Sequence, residues 1–115
     1  MDRQSQSMIE LRAAVRQVLW DYHQLNLQAE STLETVPVID EESDNYLLLL
    51  MGWENSQRVK TVQIHLRLKA GQIFIEEDWT EEGVLEDLLR LGISPDSIVL
   101  AFHPPNLRQG SVAIA

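Results

Sequence analysis

The sequence contains no cysteine, and this absence excludes several classes of protein. Without thiols the chain forms no disulfide framework, holds no zinc or iron–sulfur cluster through thiolates and has no cysteine nucleophile. Its five glycines are isolated from one another, so the glycine patterns of dinucleotide-binding and P-loop proteins are both missing. No cofactor is therefore expected from these motifs.

Long apolar runs are also missing. The longest, residues 46–51, is far shorter than the roughly 20 residues that a membrane-spanning helix needs. Residues 1–7 are polar, and charged residues interrupt the apolar ones that follow, which is unlike a signal peptide. We therefore expect a cytoplasmic protein without membrane contact.

Positive charge is scarce. Nine Lys and Arg stand against 18 Asp and Glu, which gives a formal net charge of −9. A field of this sign repels nucleic acid and anionic lipid. Four cations on one predicted strand, with Trp53 or Trp79 as a stacking face, make only a weak nucleic-acid footprint. We expect no strong nucleic-acid binding by the chain alone. The four cations are Arg58, Lys60, Arg67 and Lys69.

What the sequence does contain begins with a helical pattern. From residue 8 to about residue 26, apolar side chains recur at spacings of three and four, as on one helical face. Ser7 and Glu10 form a capping-box pattern at its start. Because the stripe spans fewer than three heptads, we predict a helix that docks on the protein's own sheet rather than a coiled coil. The stripe is Met8, Leu11, Val15, Val18, Tyr22 and Leu25.

Two strand segments follow around an acidic turn. Residues 36–39 contain Pro37, which cannot donate to a central ladder, so a strand here is predicted to be an edge strand or to hold a bulge. Residues 40–44 are a solvated acidic turn. Residues 45–53 are apolar at successive positions, which favours a strand covered on both faces.

A hairpin is predicted next. Residues 58–69 alternate apolar and polar side chains, and residues 70–71, Ala-Gly, predict a two-residue turn into a return strand at 72–78. This register places His65 opposite Glu76 on the polar face. The predicted apolar face of the first strand is Val62, Ile64, Leu66 and Leu68.

A second helix is predicted to start at Thr80 as N-cap, with Glu81 and Glu82 in its first turn. Its apolar face is Val84, Leu85, Leu88 and Leu89, and Gly92 follows at the C-terminal end. Residues 97–102 then predict a short last strand, which Pro104-Pro105 ends, and the apolar ending at 112–115 is expected to pack down.

The order of elements predicts an α+β fold. An antiparallel sheet of about four strands is expected, with the N-terminal helix and the helix of the C-terminal half packed on it. There are no repeats and no linkers, so residues 1–115 are predicted to form a single domain.

An acidic cluster is the first site candidate. Residues 76–87 hold seven carboxylates and no cation. Their spacing does not fit a calcium loop, so we interpret the cluster as a surface that contacts a basic partner, and expect no metal site. The cluster is Glu76, Glu77, Asp78, Glu81, Glu82, Glu86 and Asp87.

The polar sheet face is the second candidate. Trp53, Arg58, His65 and Arg67 are predicted to share it, and a carboxylate beside His65 would favour its charged form. No serine lies in a nucleophile motif and no histidine pair has metal-ligand spacing. The residues therefore indicate no catalytic set. Aromatic and charged surface residues indicate a binding module instead.

A set of short motifs is spread over residues 8–115. The motifs are Val18-Leu19, Tyr22, Gly52-Trp53, Arg58-Val59, Ile64-His65, Gly71, Ile73-Phe74-Ile75, Asp78, Thr80-Glu81, Gly83, Asp87-Leu88-Leu89, Gly92-Ile93, Asp96, Ile98-Val99-Leu100-Ala101-Phe102, His103-Pro104-Pro105, Arg108 and Ala113-Ile114-Ala115. Together, in this order, they resemble the XisI family, the fdxN-element excision controlling factors of cyanobacteria. The sequence departs from the family pattern at 94–96, where a lysine is expected, and at 109–111, where bulkier residues are usual.

The resemblance implies a small α+β protein without a known cofactor. It implies a regulatory factor that controls site-specific excision of a DNA element during heterocyst development and acts beside XisH, a larger nuclease-related protein. On this basis the acidic segment 76–87, taken as a helix, is expected to contact an XisH-like partner. A homodimer is also expected, through the exposed sheet face or the first helix.

Two alternatives stay open at this point. One alternative is an inhibitor, similar to an antitoxin, that silences an XisH-like nuclease. The other is a small hydrolase that uses His65 with Glu76 or Asp78. The first alternative predicts protection of DNA, and the second predicts turnover that depends on His65.

Overall fold

Two helices and a mixed sheet make up the computed structural model, which describes residues 6–103. The α+β architecture predicted from the sequence is confirmed within this range. In chain order the elements are α1 (Met8–Gln28), β1 (Leu33–Asp40), β2 (Asn45–Glu54), β3 (Gln57–Lys69), β4 (Gln72–Asp78), α2 (Val84–Arg90), a 3-10 turn (Pro95–Ser97) and β5 (Ile98–Leu100).

Helix α1 begins and packs as its sequence predicts. The Ser7 hydroxyl accepts from the Glu10 amide, and the Glu10 carboxylate accepts from the Ser7 amide, so the capping box is complete. Leu11 and Val15 are fully buried. The end of the stripe differs from the prediction, because Leu25 is 60% exposed. The last turn of α1 therefore has an apolar side chain that the core does not use.

The sheet has five strands within the described residues, in the order β1-β2-β3-β4-β5. The first three pairings are antiparallel, as predicted. Strand β5 instead pairs parallel to β4, with α2 as the crossover that parallel neighbours require. The sheet is thus one strand larger than the expected four, and its last pairing has the opposite direction.

Both helices pack on one face of this sheet. The core joins α1 and α2 to inward side chains of the central strands, such as Tyr46, Leu48, Ile64 and Leu66, which are fully buried. The other face of β2 holds Leu47, Leu49 and Met51, which are only half-buried. The expectation that β2 is covered on both faces is therefore not met by any element among residues 6–103. The remaining core residues are Leu11, Ala14, Val15, Val18, Leu19, Leu68, Ile73, Ile75, Val84, Leu88, Ile93, Ile98 and Leu100.

Two bulges change the predicted faces. Gln63 is an extra residue in β3, so Val62 lies opposite Leu49 and does not share the inner face with Ile64. Glu76 is an extra residue in β4, and His65 lies opposite Glu77 rather than Glu76. The register between 66 and 75 is as predicted, because the bulge lies beyond it. Each bulge exchanges the faces of the residues that lie beyond it on its strand.

The second helix begins later than the sequence predicts. Its N-cap is Gly83, which has no capping side chain, and Val84 is its first residue. Thr80 lies three residues upstream, where its hydroxyl accepts from the Gly83 amide. Asp78 caps the helix instead, since its carboxylate accepts from the Val84 amide at 2.7 Å. Glu81 and Glu82 therefore belong to a loop.

The end of α2 follows the prediction. Gly92 has a φ of 91°, in the left-handed region, and the amide of Ile93 donates to the carbonyl of Leu88. Predicted features at residues 104–115, the proline stop and the packed apolar ending, lie outside the described residues. Neither helix in the described part of the chain is long and apolar enough to cross a membrane.

Candidate functional site

The acidic cluster does not lie on one helix. Glu76, Glu77 and Asp78 end β4, Glu81 and Glu82 lie in the following loop, and Glu86 and Asp87 are in the first turn of α2. The expected acidic helix over residues 76–87 is therefore wrong. The carboxylates instead border a strand–loop–helix connection, and they divide into groups with different roles.

Glu76 and Glu77 each contact a neighbouring side chain of the protein. The Glu76 carboxylate pairs with Arg67 at 3.2 Å, and Glu77 accepts from the indole N–H of Trp79 at 3.3 Å. The Glu77 contact links the strand end to an indole that is 73% exposed. Trp79, Phe102 and the three carboxylates at 76–78 line a shallow depression of about 230 Å³.

Asp78 has a structural role. One carboxylate oxygen accepts from the Thr80 amide at 3.0 Å and from its hydroxyl at 2.6 Å. The other oxygen accepts from the Val84 amide. Because both oxygens are used in holding the loop, Asp78 is poorly placed to bind a partner or to act as a base.

A groove forms between α1 and the loop that follows β4. It has a volume of about 430 Å³ and combines aromatic, aliphatic and acidic side chains. Glu81 and Glu82 are exposed there and form no ion pair with any residue in the range 6–103. We call it the acidic groove; its lining is Val18, Asp21, Tyr22, Leu25, Gln63, Trp79, Thr80, Glu81, Glu82, Asp87, Arg90 and Leu91.

Tyr22 and Asp87 fix the floor of the acidic groove. The Tyr22 hydroxyl donates to the Asp87 carboxylate at 2.6 Å, and Asp87 also pairs with Arg90. Burial and this neighbouring carboxylate raise the pKa of Tyr22 to about 12, so the phenol remains protonated. The contact joins α1 to α2, and it does not involve the Glu81 and Glu82 carboxylates.

The polar sheet face separates into two clusters. Trp53 and Arg58 are cross-strand neighbours near the β2–β3 turn, with the guanidinium 5.7 Å from the ring centre. His65 lies seven residues further along β3, which is about 23 Å at strand spacing. The structure therefore does not bring Trp53 and Arg58 together with His65 and Arg67.

His65 has an amide partner rather than a carboxylate. Its Nε2 lies 2.9 Å from the Oδ1 of Asn45 on β2, while Glu76 is held by Arg67. Burial lowers the pKa of His65, and the nearby charge of Glu76 opposes this only in part. The neutral form is therefore favoured, contrary to the expectation from the sequence. Among residues 6–103, no carboxylate forms a hydrogen bond with His65, although Glu77 lies opposite it on β4.

The described residues also hold no cluster of three or more His, Asp or Glu side chains that converges as a metal site. The carboxylates at 76–87 bind protein groups or point separately into solvent. Carboxylates arranged in this way suit hydrogen bonds and ion pairs with lysine or arginine side chains of another molecule.

Sequence reasoning missed the α1 side of the acidic groove. Asp21, Tyr22 and Leu25 meet Trp79 and the acidic loop although more than fifty residues separate them in sequence. The sequence contained one signal of this surface: Leu25 continues the apolar stripe of α1, yet its side chain is exposed and not part of the core. An aromatic side chain next to unpaired carboxylates suits a guanidinium or ammonium group.

Comparison with known proteins identifies the family. The family described as XisI protein matches residues 1–112. The crystal structure of the fdxN element excision controlling factor XisI from Anabaena variabilis is 31% identical, with a TM-score of 0.76, and the match covers 89% of this chain and 98% of that one. A XisI-like protein from the same organism shares the fold, with a TM-score of 0.80 at 23% identity and coverage of 87% and 91%. No curated protein matches significantly. The chain thus belongs to the XisI family.

Proposed function

We propose that this chain is a non-catalytic regulator of the site-specific excision of a DNA element. The similar protein from Anabaena variabilis is named an fdxN element excision controlling factor, which supports a regulatory role. In the described residues His65 has no carboxylate hydrogen-bonded to it and Asp78 is used to hold the loop, which together favour a binding role over hydrolysis.

Binding of a basic protein is the proposed mechanism. The acidic groove is the observation that carries it, because Trp79 is exposed beside two carboxylates without an ion pair in the described part of the chain. A lysine or arginine side chain gains both a cation–π contact and a charge-assisted hydrogen bond there. The net charge of −9 steers a basic surface toward the groove.

An XisH-like, nuclease-related protein is the proposed partner. A protein that acts on DNA exposes lysine and arginine to phosphate, and an acidic protein competes for the same surface. Binding of this kind either tunes the partner's access to DNA or silences it, as an antitoxin-like inhibitor does. A nuclease assay with the chain in excess separates the two: protection of DNA supports inhibition.

Charge reversal in the acidic groove tests the mechanism. We expect Glu81→Lys with Glu82→Lys to weaken binding to the XisH-like protein of the same genome by tenfold or more, since two attractive contacts become repulsive. Isothermal titration calorimetry measures this affinity. Trp79→Ala should weaken binding further by removing the aromatic face.

The matched control carries the same change in net charge elsewhere. Glu42 lies in the β1–β2 turn and Glu54 at the end of β2, and both are exposed outside the groove. Glu42→Lys with Glu54→Lys should lower affinity only slightly. Equal losses in the two double variants would contradict a specific groove and leave general charge attraction as the cause.

A further inference from the structure

The sheet face opposite the helices is uncovered within residues 6–103, and we call it the open face. Its side chains on β1, β2 and β3 include an apolar group that lies among polar side chains. Val36, Leu47, Leu49, Met51 and Val62 are half-buried, although no described element packs over them. Val38 is 39% exposed and Trp53, at one end, is 60% exposed. An apolar surface of this kind marks an interaction site.

The register of the three strands arranges the open face in rows. One row is Val36, Leu49 and Val62, placed side by side on β1, β2 and β3. The bulge at Gln63 is responsible, because it turns Val62 outward to meet Leu49. This apolar row forms the centre of the open face.

The adjacent row carries charge in a defined order: Glu34, Met51 and Lys60 lie side by side on β1, β2 and β3. Glu34 and Lys60 stand on opposite sides of Met51, about 10 Å apart at normal strand spacing. Both are exposed, and neither makes an ion pair with any residue in the described range. Within residues 6–103, each of the two charges is therefore available for an ion pair with another molecule.

The charged row, with Glu34 on one side of Met51 and Lys60 on the other, is complementary in charge to the same row of a second copy. A two-fold axis that runs along β2 and passes over Met51 keeps Met51 against Met51 of a second copy and exchanges the two flanks. Glu34 of each copy then faces Lys60 of the other, and Val36 faces Val62. We propose that the open face binds a second copy of this chain about such an axis, forming an isologous dimer with an apolar centre and two ion pairs.

Contact through the face is favoured over pairing of strand edges. Strand β1 is an edge strand with Pro37 in its middle, and proline in an edge strand removes a backbone donor that an added strand would use. The open face is separate from the surface that carries the proposed function, because the acidic groove is lined from the helix side of the sheet and does not include the open face.

A charge-swap experiment on the full chain tests the dimer. Sedimentation equilibrium over a range of concentrations gives the dimer Kd for wild type, Glu34→Lys, Lys60→Glu and an equimolar mixture of the two variants. Each variant alone should raise the Kd about tenfold, since both ion pairs become repulsive. The mixture should return to the wild-type Kd, because one copy then presents two positive and the other two negative groups.

Controls separate this geometry from net charge. Glu30→Lys, in the turn after α1, and Arg16→Glu, on the exposed side of α1, carry the same charge changes away from the open face and should leave the Kd nearly unchanged. Leu49→Asp, in the apolar centre, should give a monomer whose circular dichroism remains native. A wild-type chain that is monomeric throughout overturns the proposal and assigns the face to another occupant. A dimer that neither the charge swap nor Leu49→Asp affects overturns it as well.

Discussion

At the scale of single residues, Asp44 joins three parts of the fold. It accepts two hydrogen bonds from the Arg12 guanidinium on α1, at 3.0 and 3.1 Å, and one from the Tyr46 hydroxyl on β2. Tyr46 is fully buried, and burial with the Asp44 contact raises the pKa of its phenol to about 12. Arg12 holds the pKa of Asp44 below its usual range. The buried phenol thus depends on an ionised carboxylate.

Replacing the charge of Asp44 tests this dependence. Asp44 has a φ of 56°, which asparagine also tolerates, so Asp44→Asn changes charge with little backbone strain. We expect a loss of about 1 kcal/mol in the free energy of unfolding at pH 7, because the paired groups are partly exposed and screened.

The pH dependence of this loss has a definite sign. The pKa of Asp44 is lowered in the folded protein, so its contribution is present above the unfolded value near 3.8 and disappears as the pH falls through the folded pKa. Urea unfolding at several pH values should therefore show the two proteins converging below about pH 4. A gap of constant size would contradict the role of the charge.

His65 predicts a second pH effect. Burial lowers its pKa below the unfolded value of 6.5, so the neutral form contributes stability that is present above that value and is lost as the pH falls through the folded pKa. His65→Gln retains an amide partner for Asn45, and its free energy of unfolding should fall less than that of wild type between pH 7 and pH 5. An unchanged slope would show that burial of His65 is not coupled to protonation.

At the scale of elements, Asp78 determines where α2 begins. Its carboxylate accepts from the Thr80 amide, the Thr80 hydroxyl and the Val84 amide. It thus supplies the side-chain cap that the N-cap residue, Gly83, lacks. Asp78→Ala leaves these donors without their partner and should destabilise the fold by about 2 kcal/mol. Thr80→Ala removes the acceptor for Gly83 and the hydroxyl donor to Asp78, but it keeps the bonds between Asp78 and the amides of residue 80 and Val84, and it should cost about 1 kcal/mol.

Two readouts check the assignment of this cap. Chemical denaturation gives the two losses, and hydrogen exchange of the Val84 amide should accelerate in Asp78→Ala more than in Thr80→Ala. If the two variants lose equal stability, then Thr80 contributes as much as Asp78 and the cap assignment is incorrect.

The elements with a regular period were predictable from sequence. The stripe of α1 and the alternation of the β3–β4 hairpin each repeat over several turns or residue pairs, so local chemistry determines them. The bulges at Gln63 and Glu76 were not predictable, because an inserted residue changes pairing partners without altering the alternation of side chains. The start of α2 was missed since the capping group comes from the preceding strand.

At the scale of the whole molecule, the two proposed binding surfaces lie on opposite sides of the sheet. The acidic groove lies on the side of the helices, and the open face lies across the sheet from them. The acidic run 76–87 was visible in the sequence, but the groove needed Tyr22 and Leu25 from α1, which only the tertiary fold supplies. The open face needed the register of three strands.

This separation is compatible with binding of the proposed second copy and the proposed basic partner at the same time. In the proposed dimer, the second copy lies on the open face and both acidic grooves would remain accessible to basic surfaces. Paired sites of this kind raise the overall affinity for a partner that is itself repeated or dimeric, without any new contact.

We propose that this XisI-family chain acts by binding a protein rather than by turnover or by contact with DNA. The most direct test of this proposal is isothermal titration calorimetry of the wild-type chain into the XisH-like protein of the same genome, with and without duplex DNA. We predict saturable binding without DNA, weaker at higher salt because acidic and basic surfaces attract. Absence of binding under both conditions would contradict the account.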